Sequence, residues 1–204
     1  MNLAKLKQAE ADFLLRYPGG FNNPELAVLG KKHKVGKMVE MTRDCLGQKN
    51  FERPDVVIED LIRITGRSSM VSRFEKPPFK QFLHAMSPLE RDWLVDAMQE
   101  RLHGNERQGF EWVTEILETG KLAKWSLVSI CPFYLRPAWD VFVKPTTVKR
   151  IVHGLELGGL QYAPLPSWEF YEVFRDEINR MKQEVDPGLS PNNAAFTGFL
   201  MMTL

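Results

Sequence analysis

Two short basic stretches hold most of the residues in this chain that could bind a ligand. The first is GKKHKVGK, Gly30 to Lys37. Lys31, Lys32, Lys34 and Lys37 offer ammonium groups and His33 an imidazole, a set suited to phosphate contacts and, in a eukaryotic protein, to a weak nuclear signal. Glycines on both sides would let backbone approach a ligand closely. Glycines also simply end helices, so a solvated helix-to-helix junction fits the same residues.

The second stretch is DVFVKPTTVKR, Asp140 to Arg150. Pro145 suits the first turn of a helix, and Thr146 or Thr147 can cap or line that turn. A helix start presents unpaired N–H groups and a partial positive charge, which is what an oxyanion needs. Lys144, Lys149 and Arg150 would add formal charge. Ordinary capping with solvated lysines is the competing reading, since NNPEL and SPLERD also open helices on proline. Acids follow those two prolines; basic residues surround Pro145.

The residues that other common chemistries need are missing. The chain contains no GxxxxGK[ST] and no GxGxxG, and GLELGG at Gly154 to Gly159 ends a helix instead of opening one. There is no HExxH. Glu100 and His103 form a single Glu-x-x-His unit, whereas a di-iron bundle needs two such units and two further glutamates. There is no GxSxG elbow. Cys131, in SICPF, lies in an apolar setting that should raise its pKa and leave it inert. Nothing calls for a metal or another cofactor, and no catalytic residue is assigned.

Nine aromatics could stack bases beside the basic residues, as in single-strand binders. They are Trp125, Phe133, Tyr134, Trp139, Phe142, Trp168, Phe170, Tyr171 and Phe174. Rings at helical spacing more often form core.

Composition bounds the remaining choices. The chain has 204 residues, 44% hydrophobic and 26% charged, which is ordinary for a globular protein. Its net charge of +1 gives no global field to recruit nucleic acid or an anionic membrane. Charge is uneven, however: residues 1–50 hold nine Lys/Arg against five Asp/Glu, and residues 151–204 three against seven. The two cysteines, Cys45 and Cys131, have no metal or disulfide spacing. No apolar leader or membrane-length stretch stands out, so a soluble, cytoplasmic protein is expected.

The elements that must position these residues are helical. Leu3, Leu6, Ala9, Phe13 and Leu14 form a 3.6-period stripe. Asn23 and Pro24 should start a helix broken at Gly30 and Gly36, and Asp55 should cap another. Ser87, Pro88 and Glu90 form a capping-box start, with Leu89, Trp93, Leu94, Ala97 and Leu102 expected on the inner face. LAKWSLVSICPFYL is almost wholly apolar and should be a central buried helix stopping at Pro132. DVFV is expected to be an extended linker or one helical turn, since a lone strand forms no sheet. Ser167 should cap a strongly amphipathic helix burying Trp168, Tyr171, Val173, Phe174, Ile178 and Met181, and a last helix should begin near Asn193.

The expected fold is all-α, a compact bundle of eight to ten helices. Residues 1–66 could form an N-terminal subdomain packed on 67–204, and one continuous domain fits as well. The leading functional expectation is a non-enzymatic binding protein for nucleic acid or a protein partner. Two alternatives stand beside it. One is an enzyme or carrier for a small anionic ligand at Lys144–Arg150; the other is a self-assembling structural protein.

Overall fold

The computed structural model describes residues 1–26 and 33–204. Among these, ten α-helices and no strand are found. They are α1 Leu3–Arg16, α2 Val35–Cys45, α3 Pro54–Arg67, α4 Lys76–Ala85, α5 Pro88–His103, α6 Glu106–Thr119, α7 Trp125–Leu135, α8 Pro145–Gly154, α9 Trp168–Gln183 and α10 Asn193–Thr203.

The bundle is built around α7, whose residues Trp125 to Tyr134 are all buried. That helix is apolar all round, as a central helix must be. Helices α2, α3, α5 and α6 pack on it; α5 and α6 form a tight antiparallel hairpin, and α10 closes the opposite side against α1, α8 and α9. One apolar cluster runs through the molecule from Leu6 to Leu200. No helix of the described residues is long and apolar enough to cross a membrane.

Local chemistry sets several boundaries. Ser87 accepts from the Glu90 backbone N–H while the Glu90 carboxylate accepts from Ser87 N–H, so α5 begins in a full capping box. Asn2, Asn105 and Asn192 cap α1, α6 and α10 in the same way, each side chain accepting from the third residue on.

Some expectations are corrected. Asp55 lies in the first turn of α3 and does not cap it; Arg53 occupies the cap and Pro54 the first position. Ser167 occupies the cap of α9 without a side-chain bond. Gly36 sits inside α2 and does not break it. Asn23 accepts from Glu25 N–H and opens a 3-10 turn, Pro24–Leu26; the rest of that expected helix lies outside the described residues. Pro132 does not stop α7, which runs on to Leu135. A proline there removes one hydrogen bond, and the burial of every neighbouring side chain outweighs that loss.

Two helix faces also differ. On α5 the buried residues are Leu94, Val95, Ala97, Met98, Arg101 and Leu102, whereas Leu89 and Trp93 are 57% and 55% exposed. On α9, Val173 is 48% exposed while Trp168, Tyr171, Phe174, Ile178 and Met181 are buried. The packed partner, not the run of apolar residues, chooses the inner face.

Candidate functional site

The start of α8 is hung on a buried carboxylate. Asp140 precedes the extended segment Val141–Val143, and all four residues are buried. Its Oδ1 accepts from Arg101 Nη2 at 2.8 Å and from the Tyr171 hydroxyl at 2.7 Å; its Oδ2 accepts from Arg136 Nε at 2.7 Å. Burial by itself would push the Asp140 carboxyl up. Arg101 and Arg136, with the Tyr171 hydroxyl, outweigh it and hold the group below the ordinary carboxylate range. Glu106 extends the cluster, accepting from Arg136 Nη1 at 2.6 Å and Arg175 Nη1 at 2.7 Å.

A buried non-helical segment must place its backbone donors elsewhere. Val143 N–H donates to Ser129 Oγ at 3.0 Å, and Val141 N–H to the Tyr171 oxygen at 3.4 Å. The first residue of α10 is tied to the same segment: Asn193 Nδ2 donates to the carbonyls of Trp139 and Asp140, both at 3.0 Å. Asn193 N–H donates to the Pro137 carbonyl at 2.8 Å. The starts of α8 and α10 are therefore fixed side by side by one set of buried polar contacts.

Two adjoining chambers lie along α10, and the first of them also reaches the start of α8. The polar chamber, about 210 Å³, is lined by His33, Ser69, Lys144 and Thr147, with Met70, Phe142 and Met201 as its apolar wall. His33 Nδ1 lies 3.0 Å from Ser69 Oγ. The apolar chamber, about 410 Å³, is lined chiefly by Phe21, Leu26, Val35, Met70 and Met202. His33, Met70, Ala194 and Gly198 line both, so the chambers adjoin across a shared wall. Among the described residues, no carboxylate lines either one.

The floor depends on small residues of α10. Among the described residues, an added Cβ at Gly198 would meet nothing nearer than Phe21 Cζ, at 4.0 Å. A glycine inside a helix costs about 0.5–1 kcal/mol relative to alanine. Among the described residues, nothing packs into the space that this one leaves open.

The basic stretches thus meet in part. His33 shares the polar chamber with Lys144 and Thr147, about 110 residues away in sequence. Lys144 occupies the cap of α8 without a side-chain cap bond, and Thr147 points to the chamber instead of capping. Thr146 and Arg150 are exposed and line neither chamber. Lys149 faces another way: its ammonium lies 5.0 Å above the Tyr162 ring, in a separate cleft of about 640 Å³. In that cleft Glu156 is already paired with Lys5 at 2.7 Å and with Asn2. Lys34 and Lys37 are exposed and line neither chamber. Lys31 and Lys32 lie outside the described residues.

The other candidates have structural surroundings. Of the nine rings considered for base stacking, eight are buried and only Trp139 is exposed. His103 Nε2 is 2.8 Å from the Leu46 carbonyl and its ring packs edge-on to Phe51; Glu100 accepts from Asn105 N–H. No group of three His, Cys, Asp or Glu among the described residues is arranged to hold a metal ion. Both cysteines are free and buried, and burial pushes the Cys131 thiol up to about 12.

Ser69, Met70 and the α10 floor had no signal as site residues, because they are common residue types with no local pattern. Gly198 is the exception: a glycine in the apolar run AAFTGFLMM invites a packing explanation. No protein-family model, curated protein or solved structure matches this chain.

Proposed function

We propose that this chain is a binding protein for a small anion carrying an apolar tail, such as a carboxylate or phosphate ester of a medium-length alkyl chain. One observation carries the reading. The chamber holding Lys144, Thr147 and His33 adjoins a chamber lined chiefly by Phe, Leu, Val and Met side chains, and the two share four lining residues. Lys144 and the first N–H groups of α8 favour negative charge at one end. The other end rewards burial of a hydrocarbon at roughly 0.8 kcal/mol per CH₂. The apolar chamber, about 410 Å³, falls within the range of small-molecule sites, about 300–1,000 Å³, and the polar chamber beside it is smaller. Burial of eight of the nine candidate stacking rings favours this reading over single-stranded nucleic acid.

A thermal-shift series tests it. Decanoate and decyl phosphate should raise the melting temperature, while decanol and inorganic phosphate should do so weakly, because each engages one chamber. A ligand at a hundred times its Kd adds about 2.7 kcal/mol of stability, well within detection. Absence of a shift with every amphipathic anion, or an equal shift with decanol, would overturn the proposal.

A further inference from the structure

The hairpin of α5 and α6 presents a second surface of a different character. Trp93 on α5 and Trp112 on α6 are 55% and 40% exposed. Each is followed three residues later by a carboxylate, Asp96 in one case and Glu115 in the other. That spacing places ring and acid on one helix face. All four side chains, with Ile116, line a single cleft of about 320 Å³. Beside it lies a second cleft of about 230 Å³ that shares Trp93, Glu115 and Ile116 and is also lined by Phe82 and Met86.

Neither indole N–H donates a hydrogen bond, and neither ring packs on another aromatic, among the described residues. Asp96 and Glu115 have no cationic partner there. The hairpin from Pro88 to Thr119 carries eight Asp/Glu against three Arg. All three arginines are engaged: Arg91 with Asp55, Arg101 with Asp140, and Arg107 with Glu111 and Glu169. The cleft walls therefore pair exposed indole faces with unneutralised carboxylates. An ammonium or guanidinium satisfies both at once, through ring attraction and a charge-assisted hydrogen bond.

We propose that this cleft docks a basic segment of a partner protein, one Lys or Arg side chain entering between Trp93 and Trp112 and an apolar neighbour covering Phe82 and Met86. The occupant is a peptide and not a lone small cation, because the apolar surface extends past the first cleft into the second. Charge complementarity excludes a nucleic acid at this face.

The test uses the full chain and a fluorescein-labelled nine-residue peptide alternating arginine and leucine, followed by fluorescence anisotropy. Binding should weaken as salt rises. Trp93→Ala and Trp112→Ala should each lower affinity by about tenfold or more, the range of an aromatic anchor, and Asp96→Asn with Glu115→Gln should lower it further. These residues are exposed, so unchanged circular dichroism should certify each variant. Equal binding of a glutamate–leucine peptide, or full affinity in the Asp96→Asn, Glu115→Gln variant, would overturn the proposal. So would full competition by millimolar tetramethylammonium, which would make the site one for a small cation. A dimer that Trp93→Ala dissolves would assign the surface to a second copy of the chain, and would overturn it equally.

Discussion

Arg101 and Asp140 form an ion pair with almost no solvent on either side: Arg101 Nη2 lies 2.8 Å from Asp140 Oδ1, and the side chains are 1% and 0% exposed. The pair joins α5 to the segment that leads into α8. Through Asn193, the backbone of that segment also holds the start of α10. The groove walls are thus positioned by electrostatics well behind them.

Removing one partner should be severe. Arg101→Met or Asp140→Ala leaves the other charge buried and uncompensated, which costs about 3–5 kcal/mol in comparable pairs. Urea titration should show the midpoint falling accordingly, with any ligand binding at the groove lost in proportion.

The same carboxylate predicts an acid dependence. Its folded pKa is depressed, so the stability it contributes is present in full above the unfolded value of about 3.9 and is lost as pH falls through the lower folded value. Unfolding free energy measured from pH 6 downward should therefore decline in wild type below about pH 4. Asp140→Asn should start lower and decline less steeply.

Glycine substitutions should separate space from strain. Gly198→Ala should stabilise the protein by about 0.5–1 kcal/mol, since the added methyl meets only ordinary contact. Gly198→Leu should keep the fold and block the groove, removing any shift by decanoate. Gly109→Ala should destabilise by about 1–3 kcal/mol, because its Cβ would collide with the Arg101 backbone where α5 and α6 approach most closely. Thermal melts of the three variants check the order.

Charge removal at α8 should be position-specific. Lys144→Ala should weaken binding of decyl phosphate by about tenfold, a typical loss for a charge-assisted contact. Lys149→Ala and Arg150→Ala should leave it unchanged, because those side chains do not line the groove. Calorimetric titration of the three variants distinguishes them.

The thiols should be silent in the native protein. Cys131 is fully enclosed with its pKa pushed to about 12 by burial. Burial and the neighbouring Asp60 also raise Cys45, against a bond from Arg63. Ellman's reagent at pH 8 should titrate neither thiol rapidly, and two after denaturation.

The helical class, the capping box at Ser87, the start of α10 and the burial of α7 were all legible in the chain, because each follows from interactions within a few residues. Capping joins positions three apart, and a helix apolar on every side can only be interior. The inner face of α5 was not legible: its apolar residues are spread around the helix, so packing against α6 and α3 decides that Trp93 and Leu89 turn outward. Nor was Asp140 recognisable as a buried anchor: Arg136 is only four residues away, but Arg101 and Tyr171 come from α5 and α9.

The helix start at Pro145 divides in the same way. Local pattern correctly placed a proline-led, cation-flanked helix there. Whether Lys144, Lys149 and Arg150 act together depends on helix rotation, and at about 100° per residue they diverge. His33 joins Lys144 and Thr147 because α8 and α10 are both anchored on the Asp140 segment, beside the chain leading into α2. Proximity between residues more than a hundred positions apart arises from that packing, and no local periodicity encodes it.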